Sequence, residues 1–263
     1  MMNPNPELLT LKREGLVARV TLNRPEVRNA FNEALIAELT AVFAELSQDA
    51  GLRAIVLAAE GKAFCAGADL NWMKAMAGYS WDENRADADK LAQMLWTIYS
   101  CPVPVIARVQ GDAYAGGVGL VSVCDIVVSA DSASYCLSEA KLGLLPATIA
   151  PYVVRALGEQ ASRRYFVTAE RFSAAEARAQ GLVHECVAAD QLDAKVDELL
   201  SALTANGPMA VRACKKLVQD VAHAPITREL RDDTARRIAD IRASDEGKAG
   251  VQSFLNKSKA PWL

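Results

Sequence analysis

Two stretches of this chain repeat one restrictive design. A-F-C-A-G-A-D-L (63–70) and A-Y-A-G-G-V-G-L (113–120) each pass from a buried strand through consecutive small residues into a helix. Small residues let another group approach the backbone, and the first amides of a helix have no partner inside it. Two such amides, converging from separate loops, suit a developing oxyanion, and the dipole of the following helix adds to that stabilisation. Small residues also let helices pack tightly on strands, and that explains either loop alone. The pair points to a site. Gly116 and Gly117 read as a loop opened for a ligand, whereas Gly119 falls where the helix should already have begun.

The rest of the chain is organised around these loops. Residues 8–12 and 17–23 are short β-prone runs joined by a turn, a predicted hairpin. The spacing of Leu35, Ile36, Leu39, Val42, Phe43 and Leu46 predicts a helix over 32–48. R-A-I-V-L-A (53–58) predicts a strand buried on both faces, and further strands are expected at 105–109 and 125–130. Leu91, Met94, Leu95 and Ile98 predict a helix over 87–100. From about residue 150 the pattern reads as entirely helical, with helices at 150–157, 160–168, 174–180, 190–204, 208–222, 227–243 and 245–257. The class is therefore α/β with a helical tail, divided as a core over 1–200 and a helical region over 201–263. There is no internal repeat, low-complexity linker or long charge block.

Several function classes drop out. A net charge of −3 and the lack of a basic stripe interleaved with aromatics argue against nucleic acid. No run of about 18 apolar residues suggests a membrane span, and M-M-N-P-N-P-E-L-L-T-L lacks the pattern of a leader. The six cysteines are scattered without a C-x-x-C, as expected of buried thiols in a cytoplasmic protein. No metal site is expected, because His184, Glu185 and Cys186 are consecutive and cannot share a face; His184 reads instead as part of a short strand edge. His223 reads as a residue near a helix C-terminus, where positive charge is favoured. A dinucleotide fingerprint fails at its third glycine, since position 122 is Ser.

The segments A-F-C-A-G-A-D-L and G-D-A-Y-A-G-G-V-G-L-V-S-V-C-D-I closely resemble the crotonase, or enoyl-CoA hydratase/isomerase, superfamily. So do R-P-E-V-R-N-A-F-N (24–32), L-S-E-A-K-L-G-L-L-P (137–146), A-A-E-A-R-A-Q-G-L-V-H-E (174–185) and V-Q-S-F-L-N-K-S-K-A-P (251–261). The resemblance runs through nearly the whole chain in order. It implies a spiral of ββα turns followed by C-terminal helices that mediate trimerisation, as a homotrimer or a dimer of trimers. It also implies an acyl-CoA substrate held in a bent conformation, with no separate cofactor.

Carried over by position, the resemblance makes the backbone N–H groups of Ala68 and Gly116 the oxyanion hole. Arg28 and Ala30 would line the CoA nucleotide, and Ala66, Asp69 and Leu70 would flank the pantetheine channel. Phe254 and Lys257 would reach CoA from the C-terminal end. Asp69 also reads as a helix N-cap, and Trp72 and Met73 as either a pocket border or core. Hydratases of the family use two glutamates 20 residues apart. The second is present here as Glu139, while the first position holds Gly119.

One carboxylate leaves two chemistries open. Water can be activated by Glu139 alone or by another group, giving hydration; or Glu139 can carry a proton between C2 and C4, moving the double bond. A silent acyl-CoA binder is a third reading. Longer strings, G-A-D-L-N-W-M and L-S-E-A-K-L-G-L-L-P-A-T-I-A-P-Y-V-V-R-A-L-G among them, resemble a bacterial subgroup assigned to 3-methylglutaconyl-CoA or isohexenylglutaconyl-CoA hydration. In that subgroup V-G-L in place of the glutamate is normal, which favours a hydratase.

Overall fold

The computed structural model describes residues 4–263; the first three residues, part of the N-terminal stretch read above for a leader, lie outside them. The chain forms one compact unit running to Asp197 and a second over Glu198–Leu263.

The first unit opens with the expected hairpin. β1 (Leu9–Glu14) and β2 (Val17–Leu22) pair antiparallel from Leu9↔Leu22 to Glu14↔Val17. Helix α1 (Glu33–Gln48) is capped by the Asn32 side chain, which accepts from Leu35 N at 2.8 Å, and buries the six apolar residues its spacing singled out.

A three-step spiral follows. β3 (Ala54–Ala59) leads to β4 (Ala63–Cys65) and then to helices α2 (Leu70–Met76) and α3 (Trp81–Tyr99). β5 (Val105–Val109) leads to β6 (Asp112–Tyr114) and helix α4 (Gly116–Ser122). β7 (Ile126–Ala130) leads to β8 (Ser134–Cys136), a 3-10 turn at Glu139–Leu142, and helix α5 (Ala150–Thr168). In each step the first strand joins one sheet and the second joins another, so β3, β5 and β7 run parallel, as do β4, β6 and β8. β9 (Arg171–Ser173) closes the small sheet; helix α6 (Ala174–Ala179) and β10 (Glu185–Val187) follow, and β10 adds an edge to the large one. β3 is buried at every position, as its unbroken apolar run predicts.

The differences from the expectation have local causes. α3 begins at Trp81, ahead of the predicted start, because Ser80 and Glu83 form a capping box around a first turn whose residues are all exposed and show no apolar spacing. β9 and β10 interrupt the region read as wholly helical; at three residues each they are too short to show a period. Gly158, with φ 77° and ψ 161°, breaks α5, so two helical segments stand where two were predicted. All six cysteines are free, and Cys214 is exposed rather than buried.

Helix α7 (Leu192–Thr204) precedes α8 (Pro208–Val221), α9 (Arg228–Ala243) and α10 (Asp245–Leu255) of the second unit. There the Glu246 carboxylate accepts from Met209 N and Ala210 N at 3.0 and 2.9 Å, satisfying orphan amides at the start of α8. Among the described residues no helix is long and apolar enough to cross a membrane, and no group of acidic, histidine or cysteine side chains could hold a metal ion.

His184 extends the β7–β10 ladder with its ring. Its backbone N–H donates to Val127 O, and its Nδ1 accepts from Val127 N at 2.9 Å, which requires an unprotonated Nδ1. Desolvation lowers its pKa below 6.5 against the pull of Glu185 and Asp125. The fold therefore favours the neutral ring, and stability is lost as pH falls from 6.5 toward the lower folded value. His184→Asn should flatten the fall in urea midpoint between pH 7.5 and 5.5; an unchanged slope would contradict this role for the ring.

Candidate active site

The spiral brings three loops to one edge. β4, β6 and β8 are adjacent and parallel, with Cys65 opposite Ala113 and Tyr114 opposite Cys136. Neighbouring strands lie about 4.8 Å apart, so the loops leaving their C-terminal ends emerge side by side. Those loops carry Ala68, Gly116 and Glu139.

The first loop is held by a short parallel bridge, Phe31↔Ala68. Phe31 N donates to Gly67 O at 2.6 Å, and Asp69 N donates to Phe31 O at 2.8 Å. In a parallel pairing these bonds use the residues flanking Ala68, so the N–H of Ala68 points the other way. Among the described residues it donates to no protein acceptor. Ala66 N is taken up by Arg28 O at 3.0 Å. Gly67 adopts φ 87°, and a Cβ there would sit 3.1 Å from Ala115 Cβ, so the two glycine loops touch.

The second loop turns at Ala115, whose φ of 48° and ψ of −119° lie in a sparsely populated region. Ala115 N donates to Cys136 O at 2.8 Å, and the turn leaves Gly116 as the first residue of α4, its N–H unpaired among the described residues. Gly117 carries a packing constraint that its sequence did not show. A Cβ there would overlap the carbonyl oxygen of Cys65, so this glycine lets the two loops pack backbone to backbone.

Glu139 stands three residues beyond Cys136, at the start of the 3-10 turn. Its Oε2 is buried with no hydrogen-bond partner. Burial pushes its pKa above the usual 4.5, with only its own backbone N–H pulling the other way. A carboxyl so placed keeps its proton more readily than an exposed one, which favours its acting as acid as well as base.

Gly119 lies one turn beyond Gly116, on the same face of α4. A Cβ at 119 would overlap Cγ2 of Ile149, which is 1% exposed and caps α5. Ile149 therefore fills the space that a side chain at 119 would take. Nothing in the sequence pairs these positions, which lie 30 residues apart.

The remaining residues fall into distinct settings. Asp69 is buried; its Oδ1 accepts from Asn71 N at 2.8 Å as the N-cap of α2, and its Oδ2 is held by Arg24 at 2.9 Å. Burial raises its pKa, but the Asn71 N–H and the guanidinium outweigh that and leave it below the ordinary value. Leu70 is 74% exposed, beside half-buried Ala66 and Ala68. Arg28 is exposed with left-handed φ 54°, and Ala30 is buried with its carbonyl accepting from Arg24. Trp72 packs in the core and donates to the buried Asp87 at 3.2 Å, while Met73 is half-buried. In the second unit Phe254 on α10 is 83% exposed, and Lys257 just beyond the helix is exposed with φ 52°.

The Gly119–Ile149 fit makes a double-mutant cycle informative. Gly119→Ala should destabilise by about 1–3 kcal/mol through overpacking. In an Ile149→Ala background the same change should cost little or stabilise, a coupling of about 0.5–3 kcal/mol measured by urea unfolding. Additive effects would show that the two side chains do not share the space.

The enoyl-CoA hydratase/isomerase family model matches residues 12–263. An Alternaria alternata enoyl-CoA hydratase, ACTT6, is 35% identical over 252 residues, covering 93% of this chain and 80% of that protein. The crystal structure of an enoyl-CoA hydratase from Shewanella pealeana superposes with TM-score 0.94 at 40% identity, covering 97% of this chain and 96% of that one. AtuE of Pseudomonas aeruginosa superposes with TM-score 0.93 at 37% identity, covering 97% and 99%. With this spiral, and with a match over nearly its whole length, the chain belongs to the enoyl-CoA hydratase/isomerase family of the crotonase superfamily.

Proposed function

We propose that this protein hydrates an α,β-enoyl-CoA thioester of branched or carboxylated, glutaconyl-type structure. The observation that carries the reaction is the placement, on one edge of three parallel strands, of two unpaired backbone amides and the half-buried Glu139 carboxyl, whose Oε2 is buried without a partner. The substrate class rests on the strings shared with the glutaconyl-CoA hydratase subgroup. Coenzyme A is part of the substrate, and the reaction needs no further cofactor.

In this reading the N–H groups of Ala68 and Gly116 donate to the thioester oxygen. Glu139 takes a proton from water as the water oxygen bonds to C3, and the π electrons move onto the thioester oxygen as an enolate. Glu139 then returns the proton to C2 on the same face, a syn addition in which one carboxyl acts first as base and then as acid. Each carbonyl donor supplies about 3–4 kcal/mol of transition-state stabilisation. Arg28, Ala30, Ala66, Leu70, Phe254 and Lys257 are assigned to CoA by the resemblance. The engaged oxygens of Asp69 suit a structural role beside the channel. Homotrimeric assembly, alone or as a dimer of trimers, is supported by the resemblance and by the apolar groove that Ala213, Leu217, Ile238 and Ile241 leave between α8 and α9.

The occupied space at Gly119 also suits double-bond migration, since one carboxylate moves a proton from C2 to C4 without water. A panel of branched, carboxylated and linear enoyl-CoAs separates the readings. Hydration removes the conjugated enoyl absorbance, whereas isomerisation of a 3-enoyl-CoA creates it, and a binder without catalysis does neither.

Glu139→Gln should lower turnover by about 10²- to 10⁴-fold; full activity in that variant would overturn the assignment. In the native enzyme kcat/KM should rise with pH through an apparent pKa above 4.5, the direction in which burial moves Glu139. The same raised pKa means that ionising Glu139 costs the folded state stability as pH rises through the folded value. Glu139→Gln should therefore have a higher urea midpoint than the native protein at pH 7.5, with the difference shrinking toward pH 4.

A further inference from the structure

We propose that Arg24 is a positioning residue for the Ala68 amide, holding it at the angle that receives the thioester oxygen. The inference rests on the oxyanion reading above and adds a residue whose guanidinium is engaged by Ala30 O and Asp69.

Arg24 brackets the Phe31↔Ala68 bridge. Its Nη1 donates to Ala30 O at 2.6 Å, one residue before Phe31. Its Nη2 donates to Asp69 Oδ2 at 2.9 Å, one residue after Ala68. One planar guanidinium thus clamps both strands of a bridge that has only two hydrogen bonds of its own. The pair is shielded, with the Arg24 and Asp69 side chains 13% and 8% exposed. Removing one member of a charge pair withdrawn from water strands the other as an uncompensated buried charge, so the two are retained together.

The main chain of Arg24 is fixed as well. Arg24 N donates to Asn29 Oδ1 at 2.9 Å, and Asn29 N donates to Arg24 O at 2.8 Å. Asn29 is fully buried, and its Nδ2 donates to Glu60 O and Ala63 O at 2.8 and 2.9 Å, tying the segment to the start of β4. Arg28 and Asn29, with φ 54° and 55°, turn the chain so that Phe31 runs alongside Ala68. The clamp is therefore anchored to the strand from which the Ala68 loop departs. Rotating the 67–68 peptide by a few tens of degrees would misdirect the Ala68 N–H; Phe31 N holds the carbonyl of that peptide, and Asp69, gripped by Arg24 on its far side, adds to the resistance.

Lysine cannot reproduce the clamp, because an ammonium is a point charge without the fork that reaches both Ala30 O and Asp69. The test compares Arg24→Lys, Arg24→Met and Asp69→Asn with the native enzyme; Asp69→Asn keeps a good N-cap but removes the charge pair. Two readouts are taken: the infrared carbonyl stretch of bound butyryl-CoA labelled with ¹³C at the thioester carbon, and kcat and KM on the enoyl-CoA that turns over best. Arg13→Met, which breaks an ion pair to Asp49, is the control for general destabilisation.

The native enzyme should shift the carbonyl stretch to lower frequency. Arg24→Met should lose most of that shift and about 10- to 100-fold in kcat, with KM changed less than about threefold. Arg24→Lys and Asp69→Asn should be intermediate and carry the test if Arg24→Met does not fold, while Arg13→Met keeps the full shift. A native shift retained by the Arg24 and Asp69 variants would overturn the positioning role and leave the oxyanion reading standing. No shift in the native enzyme would overturn the oxyanion reading, and this inference with it.

Discussion

The site depends on the parallel pairing of three strands, β4, β6 and β8, each only three residues long. Such strands bury little surface, and their value lies in direction: because they run parallel and adjacent, everything that follows them leaves at the same edge. The larger sheet, built around fully buried β3, supplies the core that holds them there. An antiparallel arrangement would have sent Gly116 to the opposite edge from Ala68 and Glu139.

Local geometry then turns placement into chemistry. A free backbone amide cannot be installed by choice of side chain; it arises where pairing rules leave one over. At Ala68 the parallel bridge uses the amide on one side and the carbonyl on the other, so the residue between them is left with an outward N–H. At Gly116 an unusual turn at Ala115 ends the strand and starts a helix in one step. Both results need the backbones to approach closely, and Gly117 against the Cys65 carbonyl is where a Cβ is forbidden for that reason. In the proposed reaction these two donors stabilise an enolate, and the carboxyl, its pKa raised by burial, moves a proton beside it.

Gly119 has a packing explanation. Ile149 occupies the volume beside it, and a carboxylate at 119 would need the start of α5 to be rebuilt. The glycine and the isoleucine form one packing unit drawn from two turns of the spiral.

The sequence by itself determined the α/β class, the long helices with their buried faces, the two glycine loops, and, by resemblance, the family and its candidate residues. These were legible because helical periodicity spans many residues and the loop motifs are contiguous. Strands β4, β6, β8 and β9 were not, since three residues cannot display a period, and β10 was expected only as a strand edge at His184. Tertiary structure alone decided how the bridge at Ala68 and the turn at Ala115 leave those amides unpaired, that Gly117 lets two backbones meet, that Ile149 fills the space at Gly119, and that Arg24 grips Asp69 from 45 residues away. The reason is physical: each of these is a contact between chain segments that only the register of the folded sheets brings within a few ångströms.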